Sequence, residues 1–377
     1  MSNSEKKQPK IAIVHDWITN MGGAENVVLA FHEAFPDAPI YTSTYESKKM
    51  PLFNNCDVRT TYLQKLPKVL RRIHKFFPML RVRAFQKLDL SEFDIILSSS
   101  SAESKQVRKT RPGQIHICYC HTPIRYYWSH YDEYRKDPGF GKLNWLIRLA
   151  MPLLVPPLKK ADYKAAQEVD YFIGNSNAVK DRIKKYYNKS AVVIHPPVDV
   201  DRFSPSKKRG SYYVAFSRLV PYKRIDLAIE AANKLSLPLH VLGVGSEYEN
   251  LFKLAGDTIT FYNKEWSPEF VKFINKELDN AKGFIFPAEE DFGIIQVEAM
   301  AGGSPVIAYG IGGALDIAID GKTGILFKEQ TVDCLVEAIK LAEKTNFDPL
   351  FIRDRAEKFS KDNFIKQIKR FVSDKSK

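Results

Sequence analysis

Short apolar runs rich in Ile, Val, Phe and Tyr alternate along this chain with segments of helical periodicity, and most of the runs end on a Gly, Ser or Pro turn. The first series is KIAIVH at 10–15, IYTSTY at 40–45, DIILSSS at 94–100, IHICYC at 115–120, YFIGNS at 171–176 and AVVIHPPV at 191–198. Brief, unbroken runs of this kind fit strands buried on both faces of a parallel sheet, with helices as the crossovers. Pro196 and Pro197 close the series, and the chain is then polar and turn-rich to Gly210. A second series follows: YYVAFS at 212–217, PLHVLG at 238–243, TITFYN at 258–263, GFIFP at 283–287, PVIAY at 305–309 and GILF at 324–327. The expectation is an α/β chain with two Rossmann-like domains, at 1–195 and 211–354, joined by a linker at 196–210. Residues 349–372 read as a final amphipathic helix.

With 377 residues the chain is long enough for two such cores, and 24 Phe and 18 Tyr exclude a disordered chain. Cys56, Cys118, Cys120 and Cys334 are too few and too scattered for a disulfide framework. Cys118 and Cys120 share one face of a strand, where a structural role competes with metal binding. MSNSEKKQPK at the start has no apolar core for a signal peptide, and Trp145–Leu158 is short and broken by Arg148 and three prolines. A cytoplasmic location is expected.

The net charge of +13 is uneven: residues 1–200 hold 31 basic against 19 acidic residues, and 201–377 hold 26 against 25. Residues 63–85 carry Lys65, Lys68, Arg71, Arg72, Lys75, Arg81 and Arg83 and no acid, with apolar residues at three- and four-residue steps. One reading is an amphipathic helix on an anionic membrane surface, with Lys65, Lys68, Arg71, Arg72 and Lys75 facing the lipid. Another is an ordinary surface helix whose stripe faces its own core. A third, a nucleic-acid surface, lacks any accompanying nucleic-acid module, and no such partner is expected.

The densest chemistry lies in PAEEDFGIIQVEAMAGGSPVIAYGIGG at 287–313. Following a strand, Glu290 falls on the loop, the N–H groups near Phe292, Gly293 and Ile294 on a helix N-terminus, and Glu298 about one turn in. Free N–H donors suit a phosphate or sugar oxygen and carboxylates suit sugar hydroxyls; the alternative is plain N-terminal capping of a helix by acids. FSRLVPYKR at 216–224 places Arg218 and Lys223 on one strand-to-helix loop, a clamp for a pyrophosphate or else a solvated basic loop. Gly22, Gly23, Ala24 and Glu25 occupy the first strand-to-helix turn, where small residues let backbone approach an anion. At 243–248, GVGSEY begins like a dinucleotide fingerprint but has Tyr248 where the third glycine belongs, with Glu265 as the only other support.

Together these motifs resemble the retaining glycosyltransferases of family 4, whose fold is GT-B, two Rossmann-like domains facing across a cleft. Glu290 and Glu298 match the two ends of that family's E-x7-E signature, and the resemblance runs over nearly the whole chain. CYCHTPIRYYW at 118–128, the stretch at 162–187 and VVIHPPVDVDRF at 192–203 are similar to bacterial mannosyltransferases that use GDP-mannose in lipopolysaccharide, O-antigen or exopolysaccharide assembly.

The resemblance implies roles. Arg218 and Lys223 would hold the donor diphosphate, Glu298 the ribose hydroxyls, and Glu290 with the Phe292, Gly293 and Ile294 amides the transferred sugar. His121 would contact that sugar near the reacting carbon, and Gly22 and Gly23 would cover the phosphates. A terminal helix at about 355–377 would cross back to the first domain, which would bind a lipid-linked or lipopolysaccharide acceptor at the inner face of the cytoplasmic membrane. No metal or other cofactor is implied beyond the nucleotide-sugar co-substrate; Asp199 and Asp201 spell D-x-D but fall in the turn-rich stretch. A different donor base or sugar, or a non-catalytic sugar-nucleotide or polyanion binder, are the rival readings. Asp316, and Tyr262-Asn-Lys264, depart from the family pattern.

Overall fold

The computed structural model of the chain describes residues 9–72, 77–129, 131–136, 141, 144–206, 209–264 and 267–376. Lys75 and Glu265 lie outside these residues. The chain divides into two compact units, residues 1–195 with 364–377 and residues 196–363.

In the first unit the strands are β1 (Ile11–His15), β2 (Ile40–Thr42), β3 (Val58–Thr60), β4 (Ile95–Ser100), β5 (Ile115–Cys120), β6 (Tyr171–Gly174) and β7 (Ala191–Val193), and they form one parallel sheet in the order β3-β2-β1-β4-β5-β6-β7. Its helices are α1 (Gly23–Ala34), α2 (Lys68–Arg72), α3 (Pro78–Gln86), α4 (Tyr131–Lys136), α5 (Asn144–Glu168) and α6 (Asn177–Tyr187). The reversal of strand order at β1/β4 is the topological switch point of a doubly wound sheet, which opens a crevice at the strands' C-terminal ends. Strand β3 is a short edge strand with no apolar run to announce it, and YFIGNS stops pairing at Gly174 because Ser176 turns to cap α6, its hydroxyl accepting from the Val179 N–H. Ile13, Ile40, Leu97, Ile117 and Ile173 fill one side of the sheet together with Phe31.

The second unit has β8 (Tyr213–Phe216), β9 (Leu239–Leu242), β10 (Ile259–Tyr262), β11 (Gly283–Phe286), β12 (Val306–Tyr309) and β13 (Gly324–Phe327), again all parallel, in the order β10-β9-β8-β11-β12-β13. Its helices are α7 (Ile225–Leu235), α8 (Tyr248–Leu254), α9 (Pro268–Asn280), α10 (Ile294–Ala301), α11 (Ala314–Ile317), α12 (Val332–Lys344) and α13 (Pro349–Glu357). The switch falls at β8/β11, so the loops after these two strands diverge from adjacent points.

Two expectations change. The described residues of the expected linker at 196–210 are not free: Val198, Val200 and Phe203 are buried in the core of the second unit, and Arg209 reaches the Gly302 carbonyl at 2.7 Å. The turn-forming composition serves a coil that lies flat on the sheet's helices. The terminal helical pattern is also two helices. α13 ends near Lys358, and α14 (Lys361–Lys375) carries Phe364, Ile368 and Val372 into the core of the first unit.

Candidate functional site

The chain leaving β8 makes a 310 turn at Pro221–Lys223, and the chain leaving β11 reaches the N-terminus of α10 within seven residues. These loops meet: Lys223 Nζ is ion-paired with Glu290, both side chains largely covered. Arg218 stands exposed on the same loop, its Nη2 donating to the Tyr222 hydroxyl at 2.7 Å. Gly293 caps α10 with φ 92°, a left-handed conformation that glycine adopts without strain. By helix geometry the first N–H groups of α10 have no intrahelical acceptor.

A third loop holds this one in place. The Gly313 N–H donates to the Glu290 carbonyl at 2.9 Å, and a Cβ on Gly313 would lie 2.1 Å from the Phe292 carbonyl oxygen. Gly243 and Gly245 likewise permit a close approach of backbone. A Cβ on either would fall within 2.0 Å of the Ser217 or Leu219 carbonyl, so the GVG sequence lets the Arg218 loop lie against the end of β9 and needs no dinucleotide to explain it.

Glu298 sits one turn into α10, with 19% of its side chain exposed, and pairs with Arg202 at 2.5 Å. Burial raises its pKa above the usual carboxylate range and Arg202 pulls it back. Arg202 comes from the stretch whose composition reads as linker, 96 residues away, and no spacing pattern points to it. Of the D-x-D pair, Asp199 faces Arg202 at 3.5 Å and Asp201 faces Arg353 at 3.4 Å. Among the described residues no group of three His, Cys, Asp or Glu side chains is placed to hold a metal.

In the first unit, Gly22 is the N-cap of α1, and a Cβ there would stand 3.0 Å from Glu25 Oε2. Glu25 is buried, with His15 Nε2 at 3.7 Å from its Oε1. Asp16, next along β1, is wholly buried and accepts from the N–H groups of Ser101, Ala102 and Ser104 and from the Ser101 hydroxyl, at 2.7–3.0 Å. Burial opposes its ionisation, but His15 and these N–H groups outweigh it and hold its pKa below the usual range. The carboxylate thereby fixes the chain after β4. His121 follows β5 directly, its Nε2 2.8 Å from Ser99 Oγ and its ring edge-on to Tyr119. The sequence singles out Gly22, Gly23 and His121 here. It gives no sign of His15, Asp16 and Ser99, which are polar residues inside or beside runs that read only as strands.

Cys118 and Cys120 lie buried on one face of β5 among Phe172, Val179 and Tyr187, and burial pushes the Cys118 thiol up to about 12. That is an inert, structural pair.

The basic segment is not one helix. It divides into a 310 turn at Tyr62–Lys65, α2 and α3, with Pro67 before α2 and Pro78 opening α3. Lys65 and Lys68 are exposed and Arg71 is half-buried, within 3.9 Å of Glu46. Arg72 ends α2. Arg81, counted in the same run, points inward instead, forming a buried two-point pair with Glu103 at 2.7 and 2.8 Å. Beside α3, helix α5 buries Met151, Val155 and Leu158 against Val82 and exposes Trp145, Leu146, Leu149, Leu153 and Leu154, Leu153 by 77%. Among the described residues no helix is long and apolar enough to cross a membrane.

Comparison with known proteins agrees with this architecture. Residues 197–363 match the family model for glycosyl transferases group 1, and residues 21–202 match that for glycosyltransferase family 4. The chain belongs to the family 4, group 1 glycosyltransferases. It is 29% identical over 221 residues to a GDP-mannose-dependent α-(1-6)-phosphatidylinositol monomannoside mannosyltransferase of Mycolicibacterium smegmatis, covering 49% of this chain and 56% of the relative. To a D-inositol 3-phosphate glycosyltransferase of a Mycobacterium species it is 30% identical over 294 residues, 64% of this chain and 62% of the relative. The chain thus spans somewhat over half the length of these relatives. Its fold is that of the Anabaena HepE structure with UDP and glucose (TM-score 0.68, 17% identity) and of the lipopolysaccharide outer core galactosyltransferase WaaB (TM-score 0.68, 16% identity), each match covering 97% of this chain and 99% of the other. Both the sheet orders and these likenesses define a GT-B fold.

Proposed function

We propose that this protein is a retaining glycosyltransferase that moves mannose from GDP-mannose to a lipid-linked or lipopolysaccharide saccharide at the inner face of the cytoplasmic membrane. The observation that carries the reading is the pairing of Lys223, on the loop that also carries Arg218, with Glu290 just before the N-terminus of α10 at the second sheet's switch point. Cations on one loop suit a diphosphate, and the carboxylate with backbone N–H groups suits sugar hydroxyls. As the sugar–phosphate bond breaks, negative charge gathers on the departing nucleoside diphosphate. Fixed cations aimed there lower the barrier without having to reorganise.

Arg218 and Lys223 hold the diphosphate in this reading. Glu290 and the Phe292–Ile294 backbone position the sugar, Glu298 takes the ribose, and His121 and Gly22–Gly23 keep the sugar and phosphate roles that the family resemblance implies. Lys223 and Glu290 neutralise each other before the donor arrives, so binding exchanges that ion pair for contacts to phosphate and sugar. No metal is assigned to the chemistry, since the cationic side chains supply the charge.

GDP-mannose is favoured by the name of the M. smegmatis relative; the UDP bound to HepE favours a uridine donor as the alternative. For the acceptor side, Lys65, Lys68 and Arg71 with the exposed apolar face of α5 support an anionic lipid surface. Thermal unfolding against GDP-mannose, UDP-glucose and other sugar nucleotides decides the donor. A ligand at 100 times its Kd stabilises by about 2.7 kcal/mol, an easily measured rise in Tm. The expected result is the largest shift with GDP-mannose, followed by mannosyl transfer to lipid-linked acceptors. A larger shift with a uridine donor replaces mannose in the proposal, binding without transfer to any acceptor makes the protein a sugar-nucleotide binder, and no response to any sugar nucleotide overturns it.

A further inference from the structure

The C-terminal ends of β1, β4 and β5, with the first turn of α1, set four polar side chains in series. Glu25 Oε1 lies 3.7 Å from His15 Nε2. His15 Nδ1 lies 3.1 Å from the Ser99 carbonyl and 3.2 Å from Ser99 Oγ, and Ser99 Oγ lies 2.8 Å from His121 Nε2. Glu25, His15 and Ser99 are buried, Ser99 completely, so water does not compete for these contacts. Residues from four separate segments of the sequence are therefore one connected chain ending on His121.

Its direction follows from proton counting. The charged groups facing His15 are Glu25 and Asp16. Burial disfavours the imidazolium, but Glu25, Asp16 and the Ser99 carbonyl together outweigh it and raise the His15 pKa. The Ser99 carbonyl oxygen can only accept, so His15 Nδ1 carries a proton, and that proton goes to the carbonyl and hydroxyl oxygens of Ser99. The other ring nitrogen faces Glu25. With its oxygen already accepting from His15, the Ser99 hydroxyl turns its own proton to the remaining partner, His121 Nε2. A nitrogen that accepts carries no proton, so the His121 ring proton stands on Nδ1.

We infer that Glu25 and His15, acting through Ser99, hold His121 as the neutral ring protonated at Nδ1. The proposed transfer is not needed for this; what the relay decides is which ring nitrogen of His121 can donate. Glu25, His15 and Ser99 are positioning residues. They also give the GGAE turn a double role, in which its glycines shape the turn while its glutamate raises the pKa of His15.

Nitrogen-15 NMR of the full chain labelled at histidine reads the tautomer directly and needs no donor, with His121→Gln used for assignment. In the native protein near pH 7, His121 is expected to show a protonated Nδ1 and an unprotonated Nε2, and His15 a protonated Nδ1. Ser99→Ala should move the His121 population towards the Nε2–H form by up to roughly tenfold, the reach of one hydrogen bond. Ser99→Thr, which keeps the hydroxyl, should restore the native pattern. Glu25→Gln should lower the pKa of His15. A native His121 protonated at Nε2, or a native His15 with no proton on Nδ1, overturns the inference without recourse to any variant. So does a His121 signal unaffected by Ser99→Ala. If the NMR pattern holds and no sugar nucleotide binds, the relay stands and the transferase reading fails.

Discussion

Lys223 and Glu290, 67 residues apart in the chain, form one ion pair between the loops that follow β8 and β11. Each is the other's partner while the site is empty, and in the proposed reaction each has its own part of the donor. Replacing Lys223 by Ala removes the cation aimed at the leaving phosphates and leaves Glu290 without its partner. Losing one preorganised charge of this kind costs about 100- to 1,000-fold in kcat. Steady-state transfer by Lys223→Ala and Glu290→Gln is expected to show losses of that size in both; near-native turnover in either removes the residue from the mechanism.

Gly313→Ala tests the bracing of the Glu290 loop. The new methyl group would overlap the Phe292 carbonyl, a backbone atom that cannot swing aside. Overpacking of this kind costs roughly 1–3 kcal/mol, and the upper end is expected here. Gly113→Ala meets nothing within 4 Å, although its φ of +76° carries a smaller strain. Chemical unfolding should therefore rank Gly313→Ala well below Gly113→Ala, and donor affinity should fall only in the former.

The buried Arg81–Glu103 pair holds the chain after β4 to α3. Arg81→Met leaves a carboxylate buried without its cation, at a cost of about 3–5 kcal/mol. The double change Arg81→Met with Glu103→Leu should recover most of that loss. Urea titration of the single and double variants checks this, and equal stability of the two would show that Glu103 is not stranded by the single change.

His116 in β5 is wholly buried, its Nε2 2.8 Å from Ser98 Oγ, and burial pushes its pKa from 6.5 down to about 3. Between these values the unfolded chain takes up a proton at this residue and the folded chain does not. Stability must then fall as pH falls below about 6.5, with a slope of up to about 1.4 kcal/mol per pH unit from this group. His116→Gln should flatten the slope in unfolding measurements between pH 6.5 and 4. A slope unchanged by the substitution would assign the acid sensitivity to other groups.

Helix α5 supplies the test of the lipid surface. Leu149 and Leu153 are 66% and 77% exposed on a face that also presents Arg148, Lys160 and Lys164 to solvent. Co-sedimentation with vesicles containing anionic lipid should show binding that weakens in Leu149→Glu/Leu153→Glu and is lost with purely zwitterionic vesicles. Those variants should keep the native response to donor. Native protein that does not sediment with anionic vesicles rules the surface out, and dissociation of a dimer by the same variants would give the face to a second copy of the chain.

The sequence by itself determined the two parallel sheets. Strand burial on both faces writes the same continuous apolar signature wherever it occurs, and helices between such strands leave parallel pairing as the economical arrangement. It also marked the Glu290–Glu298 and Arg218–Lys223 loops, because a strand, a turn and a helix N-terminus are local features with local residue preferences. Tertiary structure alone decided what each charge faces. Arg81 belongs to the same basic run as Lys65 and Lys68, yet it is buried against Glu103 while they meet water. Arg202, from a stretch that reads as linker, is the partner of Glu298, and His15 reaches His121 only because β1, β4 and β5 are neighbours in the sheet. Burial and pairing depend on residues 20 to 100 positions away, and neither composition nor periodicity records that distance.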